Sequence, residues 1–336
     1  MKSSHLEKFE VVISDSSFED DKVEKEVLKQ IGAKVKFFQC RSEEEIATVA
    51  READALLNDH LPLSGKTLSS LDKVRIIVRC AIGYDNIDLE KATEKRIIVC
   101  NVPDYCINEV ADHTLSLILA LARKIPWINA ATKAGEWNWR KFAPMYRLEG
   151  KTAGIIGFGR IGREVAKRLK AFGLRVIAFD PYLPREVFES IGAVQVGLEE
   201  LLSEADIISV HCPLTRETYH LIDREKFRLM KKTAIFVNVA RGAIVDEKAL
   251  YQALKKKQIQ AAGLDVFETE PLEKDNPLLE LDNIVLTPHI AWYSEEAEIA
   301  VRKSAAEEVV RFFSGVKPKN VVNPQVLKWY PELKEA

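Results

Sequence analysis

The sequence predicts an α/β protein with two doubly wound parallel sheets, each in its own domain. Three observations favour this fold class. Apolar β-branched runs alternate with helical patterns through the first hundred residues, a strand–glycine turn–helix–strand unit fills residues 151–180, and the alternation then continues to residue 287. A chain of 336 residues is long enough to give each of two domains a core of its own.

The first hundred residues predict one α/β domain. Apolar runs indicate strands at residues 10–14, 34–38, 55–57, 74–78 and 97–100. Helical spacing of apolar residues indicates helices at 21–31, 43–50 and 89–94. Val102, Pro103 and Asp104 interrupt the alternation, and this break is where we expect the chain to pass into the second domain.

A long apolar helix and an aromatic segment come next. Asn108 is the expected N-cap of a helix at residues 109–123, which is apolar on much of its circumference and is therefore expected to be buried between domains or between subunits. Residues 125–146 carry Trp127, Trp137, Trp139 and Phe142. Aromatic residues in that number usually mark an interface, so we predict a dimerisation arm, the alternative being a small core beneath a long loop.

Residues 151–180 have the order of elements that a dinucleotide site needs. Gly157 allows the tight turn after a strand, Gly159 lets a pyrophosphate approach the backbone, and Gly162 lets the helix pack closely on the strand. The helix N-terminus offers N–H donors to the phosphates. Asp180 ends the next strand, where its carboxylate can bind ribose hydroxyls and repel a 2′-phosphate, which favours NAD over NADP, although Arg185 lies nearby.

The alternation continues after Asp180. Strands are predicted at residues 193–196, 207–211, 234–238, 261–264 and 283–287, and helices at 185–191, 198–204, 226–231 and 247–256. A last helix at 294–313 is expected to run back and complete the first domain, and residues 316–336 are interpreted as a polar tail.

Three ionisable residues follow the predicted strands of this second domain. Arg241, Glu270 and His289 lie at or just beyond strand ends, where ligands bind in open α/β sheets. An arginine there can grip a carboxylate, a histidine can transfer a proton, and a carboxylate can hold that histidine. Together they suit hydride transfer between NAD and a small 2-hydroxy acid. Taken singly, each residue is as easily explained as a solvated loop or capping residue.

Bulk properties exclude several other classes of function. With a net charge of −2, the chain lacks the excess of basic residues that is typical of nucleic-acid-binding proteins. No apolar run is long enough to span a membrane. The five cysteines form no CxxC pair and no metal spacing, so we expect reduced thiols, no metal and a cytoplasmic location.

Several motifs resemble those of the NAD-dependent D-isomer-specific 2-hydroxyacid dehydrogenases. They are GFGRIG with Asp180, NVARGAIVDEKAL, GLDVFETEP and TPHIAWYSEEA, and the resemblance covers nearly the whole chain from RCAIGYDNIDL onwards. It implies two Rossmann- or flavodoxin-like domains and a homodimer. The substrate-binding domain is expected to be discontinuous, residues 1–103 plus 291–336, around an NAD-binding domain at 104–290.

The resemblance also implies roles for individual residues. Arg241, Glu270 and His289 match the catalytic residues of the family, and Asp265 matches its partner for the nicotinamide carboxamide. Further contacts to the cofactor are implied for Arg160, Ile161, Cys212, Pro213, Val239 and Ala240. Contacts to the substrate are implied for Arg79, Ala81, Ile82, Gly83 and Trp292, with His60 facing the same cleft.

Within the family, HIAWYSEEA is most similar to the C-terminal-binding protein branch, in which Trp292 would pack against an apolar substrate side chain. We therefore expect an NAD-dependent oxidoreductase that transfers a hydride between NAD(H) and a small D-2-hydroxy acid or 2-keto acid. The alternatives are a D-3-phosphoglycerate dehydrogenase, a glyoxylate or hydroxypyruvate reductase, and an NAD-sensing binding module like the corepressors of that branch.

Overall fold

The computed structural model describes residues 9–335 and divides into two compact units. Unit 1 comprises the described residues up to Tyr105 together with those from Ser294 onwards, and unit 2 is Cys106–Tyr293. The expected first domain also includes residues 1–8 and 336, which lie outside the described residues. Both units are built on parallel sheets, which confirms the predicted fold class.

Unit 1 contains a five-stranded parallel sheet of order β2-β1-β3-β4-β5. Its strands are β1 (Phe9–Ile13), β2 (Ala33–Phe37), β3 (Ala55–Asn58), β4 (Ile76–Arg79) and β5 (Ile98–Cys100). The helices between them are α1 (Lys22–Leu28), α2 (Glu43–Val49), α3 (Gly65–Ser70) and α4 (Leu89–Glu94), and a 3-10 turn at Lys29–Ile31 extends α1. All residues of β3, β4 and β5 are buried, as expected for parallel strands covered on both faces.

The local sequence explains where two of these four helices begin. Ser42 accepts a hydrogen bond from the Glu45 N–H at the start of α2, and Asp88 accepts one from Lys91 N–H at the start of α4. The helix α3 was not predicted, because its six residues GKTLSS lack an apolar period and are rich in weak helix formers.

Unit 2 contains a seven-stranded parallel sheet of order β12-β11-β10-β9-β6-β7-β8. Two long helical segments precede the sheet, α5 (Ile107–Ala122) and α6 (Ile125–Lys133), followed by a 3-10 turn at Trp139–Phe142. The strands are β6 (Thr152–Ile156), β7 (Arg175–Phe179), β8 (Val194–Gln195), β9 (Ile207–Val210), β10 (Ile235–Asn238), β11 (Ala261–Leu264) and β12 (Ile284–Leu286). The helices between them are α7 (Arg160–Ala171), α8 (Arg185–Ile191), α9 (Leu198–Glu204), α10 (Arg224–Leu229) and α11 (Glu247–Lys255), with 3-10 turns at Gly242–Ile244 and Pro277–Glu280.

Helix α5 begins two residues earlier than predicted. Asn108 is not its N-cap, because the helix begins at Ile107 and Asn108 Oδ1 accepts a hydrogen bond of 3.1 Å from Arg168 Nη2 on α7. The apolar face of α5 packs against α7 and strands β10 to β12. Much of its hydrophobicity is therefore accounted for by the core of unit 2 itself, since Leu117 and Leu121 lie over Gly263 of β11.

The chain returns to unit 1 through α12 (Glu295–Phe313), capped by Ser294, which accepts from Ala297 N–H. Arg302 of α12 is buried and donates to both carboxylate oxygens of Glu24 on α1, at 2.8 and 2.9 Å. The interpretation of residues 316–336 as a polar tail was wrong for their middle part. Asn323 is buried and accepts from Val99 N–H of β5, and a 3-10 helix follows at Pro324–Trp329.

Among the described residues, no helix combines the length and the apolar character needed to cross a membrane.

Candidate active site

The glycine turn after β6 is shaped by two close contacts. Gly157 has φ +89°, and a Cβ there would lie 2.4 Å from Cys212 N, so only glycine fits. A Cβ on Gly162 would lie 2.3 Å from Gly157 O. A Cβ on Gly159 would meet no atom within 4 Å, so the surface above this residue is open. Residues Arg160 and Ile161 form the first turn of the twelve-residue helix α7 beside that open surface.

Asp180 follows β7 and is tied to the same turn. Its Oδ2 accepts a hydrogen bond of 2.9 Å from Phe158 N–H, and its Oδ1 accepts one of 3.1 Å from Tyr182 N–H. On the other side, Cys212 and Pro213 follow β9, next to Gly157. Burial raises the pKa of the Cys212 thiol to about 12, so this cysteine is a packing residue rather than a nucleophile.

The loop after β10 presents Arg241. Asn238 shapes the turn, because its side chain donates to Arg241 O at 2.8 Å and accepts from Ala240 N–H at 3.0 Å. Val239 is buried, and Arg241 Nη1 donates to Ala240 O at 2.8 Å. Arg241 then caps the 3-10 turn Gly242–Ile244.

Glu270 and His289 meet directly. Glu270 Oε2 lies 2.6 Å from His289 Nδ1, and Glu270 Oε1 accepts a hydrogen bond of 2.9 Å from Phe267 N–H. This contact engages Nδ1, so Nε2 is the ring nitrogen left to exchange a proton with a ligand. Both side chains are about one-third exposed, 33% for Glu270 and 37% for His289. The pair is thus held on one side and open on the other.

Electrostatics keep Glu270 ionised. Burial alone would raise the pKa of Glu270, but the hydrogen bond and charge of His289, the Phe267 N–H and the charge of Arg241 hold that pKa below its usual value. Arg241 is thus close enough for its charge to act on the Glu270 carboxylate. The three residues follow β10, β11 and β12, which are adjacent in the sheet.

Asp265 supports the backbone of this cluster. Its carboxylate is fully buried and accepts from Thr287 Oγ1 at 2.6 Å and from the N–H groups of Ile290 and Ala291 at 2.9 Å each. Its backbone carbonyl accepts from His289 N–H at 2.8 Å, and His289 has φ +53°. Asp265 therefore holds the loop that carries His289. Sequence patterns did not predict a contact from His113, whose Nε2 lies 3.0 Å from Thr287 Oγ1.

The expected substrate residues of unit 1 follow β3 and β4. Arg79 is 7% exposed, and its guanidinium donates to Asp59 Oδ1 at 3.1 Å and to Asn86 Oδ1 at 3.2 Å. The loop that contains Ala81, Ile82 and Gly83 is anchored at the carbonyls of Ala81 and Ile82, which accept from Val102 N–H and Asn101 Nδ2.

His60 and Trp292 have neighbours in their own units. His60 Nε2 lies 2.6 Å from Ser17 Oγ and 3.3 Å from Asp59 Oδ2. Trp292 packs edge-on against Tyr293, with ring centroids 5.4 Å apart. Their roles toward a substrate stay predictions. Within residues 9–335 there is no cluster of His, Cys, Asp and Glu side chains that could hold a metal ion, and all five cysteines are free thiols.

The chain is similar in sequence to several known proteins. Residues 115–291 match the family model of the D-isomer specific 2-hydroxyacid dehydrogenase NAD binding domain. The chain is 43% identical to a glyoxylate reductase of Korarchaeum cryptofilum over 86% of its own length and 89% of that protein. It is 46% identical to a D-3-phosphoglycerate dehydrogenase of Methanocaldococcus jannaschii over 88% of its length, and it spans only 56% of that longer protein.

A solved structure shows the same fold. The D-lactate dehydrogenase of Aquifex aeolicus, complexed with NAD and lactic acid, superposes with a TM-score of 0.83 at 31% sequence identity, and the match covers 95% of this chain and 98% of that chain.

Proposed function

The chain belongs to the D-isomer specific 2-hydroxyacid dehydrogenases, and from this membership we propose that it is an NAD-dependent reductase of a small 2-keto acid. One observation carries the assignment of roles: His289 Nδ1 lies 2.6 Å from Glu270 Oε2, in a cluster with Arg241 at three adjacent strand ends. Substrate identity, direction and the role of each residue are parts of this proposal.

The residues of unit 2 fit NAD. The open surface above Gly159 and the N-terminus of α7 suit a pyrophosphate, because backbone N–H groups and the helix dipole favour an anion there. Asp180 stands at the end of β7, where a carboxylate accepts from ribose hydroxyls and repels a 2′-phosphate. When bound, the nicotinamide supplies the hydride, and the protein supplies orientation and proton transfer.

His289 is the proposed acid and base. In the reducing direction its Nε2–H donates a proton to the substrate oxygen as that oxygen gains negative charge. Glu270 accepts from Nδ1, which fixes the ring and stabilises the protonated imidazole before transfer. Because the pKa of Glu270 is held below its usual value, the carboxylate is ionised near neutral pH.

Arg241 is proposed to bind the substrate carboxylate. A guanidinium stays charged and can make two parallel hydrogen bonds to a carboxylate, which fixes the keto carbon relative to the cofactor. The Asn238 side chain and the 3-10 turn Gly242–Ile244 hold the backbone on both sides of Arg241. Arg241 should therefore orient the substrate as well as attract it.

We propose a substrate without a phosphate group. The relatives include a glyoxylate reductase and a D-3-phosphoglycerate dehydrogenase, so their names allow a substrate with or without a phosphate group. In unit 1, the buried Arg79 is paired with Asp59, and Asp59 also accepts from Ser17 Oγ at 2.7 Å. The charge of Arg79 is thus balanced within its own unit, so Arg79 would attract a dianionic phosphate less strongly than an unpaired arginine.

We also propose a homodimer formed through the arm at residues 125–146. No residue of α6 is buried, and Trp137 and Trp139 are 92% and 68% exposed. Two indole rings that exposed are rare on an isolated surface and typical of an interface. A cytoplasmic location stays a prediction, which the free thiols support.

The first test measures NADH oxidation with glyoxylate, hydroxypyruvate, phosphohydroxypyruvate and 4-methylthio-2-oxobutyrate. We expect rapid turnover of one unphosphorylated acid and slow turnover of phosphohydroxypyruvate. Preference for the phosphorylated acid would refute the proposed substrate class. Tight NADH binding without turnover of any keto acid would instead favour the binding module expected from the C-terminal-binding protein resemblance.

Three variants test the assigned roles with the best substrate of that panel. His289→Gln and Glu270→Gln should lower kcat by about 10²–10⁴-fold, because His289 transfers the proton and Glu270 orients His289. NADH affinity should stay close to that of the wild type. Arg241→Ala should mainly raise KM for the keto acid. Turnover by His289→Gln at the wild-type rate would remove the proposed acid.

A further inference from the structure

We propose that Glu268, Glu247 and His220 form a brace that holds the loop carrying Arg241 against the loop carrying Glu270, and that these three are positioning residues for the reaction. The inference rests on the proposed function. It holds that contacts made by other residues set the distance between Arg241 and the Glu270–His289 pair. None of the three touches the Glu270–His289 pair in the contacts described above.

The two loops meet without a side chain between them. A Cβ on Gly242 would lie 1.8 Å from Phe267 C, 2.0 Å from Phe267 O and 2.4 Å from Glu268 N, so the backbone after Arg241 lies directly on the backbone of residues 267 and 268. Phe267 N–H is also the donor to Glu270 Oε1. Any shift of residues 267 and 268 would therefore change both the Arg241 loop and the carboxylate that holds His289.

Glu247 and Glu268 lock this contact by reciprocal hydrogen bonds. Glu268 Oε1 accepts from Glu247 N–H at 2.9 Å, and Glu247 Oε2 accepts from Glu268 N–H at 3.2 Å. Glu247 Oε1 accepts a further bond of 2.7 Å from Asn276 Nδ2. Glu247 is the first residue of α11, so the carboxylate of Glu268 also lies at the positive end of that helix. The brace thus ties the Glu270 loop to the helix that follows the Arg241 loop.

His220 joins the same two loops by a second route. Its backbone N–H donates to Ala243 O at 2.9 Å, and its ring Nε2 lies 3.0 Å from Glu268 Oε1. Tyr219 stacks on the ring with centroids 4.1 Å apart. The side chain of His220 is only 31% exposed, and its two contacts bridge residues that are far apart in the chain.

The function of such a brace follows from the geometry of the reaction. Arg241 must hold the carboxylate while His289 reaches the keto oxygen of the same small molecule, so the separation of the two groups is fixed by the substrate. A misplacement of about 1 Å can lower a rate by about 10²-fold. The lowered pKa of Glu270, to which both Phe267 N–H and Arg241 contribute, depends on the same placement.

The test compares Glu268→Ala, Glu268→Gln and Glu273→Ala with the wild type. Glu268→Ala should lower kcat/KM by about 10–100-fold, with both a higher KM for the keto acid and a lower kcat, and with NADH affinity nearly unchanged. Glu268→Gln keeps an oxygen acceptor for Glu247 N–H and should recover most of the activity. Glu273→Ala changes an exposed glutamate of the same loop and is the matched control. Wild-type kinetics in Glu268→Ala would overturn the proposal, as would equal losses in the alanine and glutamine variants.

A second readout separates the brace from the proposed function. Hydrogen exchange of the backbone in residues 242–245 and 266–270 should be faster in Glu268→Ala than in the wild type, and unchanged in Glu273→Ala. This result supports the brace even if the wild type reduces none of the keto acids, an outcome that would count against the proposed function alone. Unchanged exchange in Glu268→Ala would overturn the brace whatever the activity.

Discussion

The properties of the histidines depend on their neighbours. His289 adopts a left-handed backbone conformation, φ +53°, because Asp265 accepts from its N–H and from the next two N–H groups along the chain. Glu270 then orients the ring through Nδ1. His211, which follows β9 beside the glycine turn, is held neutral because burial lowers its pKa to about 3. Its Nε2 lies 2.8 Å from Ser209 Oγ.

The state of His211 predicts a pH dependence of stability. Its usual pKa is 6.5, so between pH 6.5 and about 3 the unfolded chain binds a proton that the folded chain does not. This residue therefore lowers the free energy of unfolding as the pH falls through that window, by at most about 1.4 kcal/mol per pH unit. The test measures the free energy of unfolding in urea for the wild type and for His211→Gln. The measurements run from about pH 7 to about pH 4.5, the range in which histidines commonly titrate. We expect a shallower pH dependence for the variant, and parallel curves would contradict the prediction.

At the scale of elements, the three glycines of the β6–α7 turn differ in how closely the rest of unit 2 approaches them. Gly157 and Gly162 are each required by backbone atoms of unit 2, which would lie 2.4 and 2.3 Å from a Cβ at these two positions. Gly159 meets no protein atom. The fold therefore does not require glycine at this position, and the proposed contact with the pyrophosphate is the reason that we assign to it.

This difference gives a paired prediction. Gly159→Ala should unfold at nearly the wild-type temperature but bind NADH at least about tenfold more weakly, because the added methyl occupies the space proposed for the pyrophosphate. Gly157→Ala should lose about 2–5 kcal/mol of stability, since alanine at φ +89° is strained and collides with Cys212. Thermal unfolding and NADH fluorescence measure the two properties. Wild-type NADH affinity in Gly159→Ala would contradict this assignment.

At the scale of the whole molecule, the aromatic arm is the feature of unit 2 that a single chain leaves unexplained. Residues 125–146 follow α5, yet their side chains are mostly exposed, including Ile125, Trp137, Trp139 and Tyr146. Contacts within the arm cover only part of this apolar surface. For example, the Arg140 guanidinium lies 4.8 Å from the Trp139 ring centroid. A second copy of the chain is the occupant that the proposal assigns to it.

Substitution of the arm tests the proposed dimer. The double variant Trp137→Glu and Trp139→Glu should convert a dimer to monomers, because two charges would have to be buried in the interface. Sedimentation over a range of concentrations measures the mass. Ile299→Glu changes an exposed apolar residue of α12 and should leave the dimer intact. A wild-type protein that sediments as a monomer at all concentrations would refute the dimer.

Much of this fold is readable from local patterns in the sequence. Strand and helix periods, glycines at fixed offsets and an acid at the end of β7 identified the parallel sheets and the NAD-binding unit, because each depends on residues within about one turn or one βαβ unit. Arg241, Glu270 and His289 could be proposed together because parallel strands place their carboxyl ends at one edge. The family membership then follows from the same motifs.

Only the tertiary structure decided which side chains act on one another. Arg79 pairs with Asp59, twenty residues earlier, and the contact of His220 with Glu268 joins residues 48 positions apart. Asparagine is a common N-cap residue, but the Asn108 side chain accepts a hydrogen bond from Arg168 on another helix, and α5 begins before Asn108. A local pattern reports the conformation that a segment prefers, whereas these partners depend on the order of strands and on the loops that this order brings together.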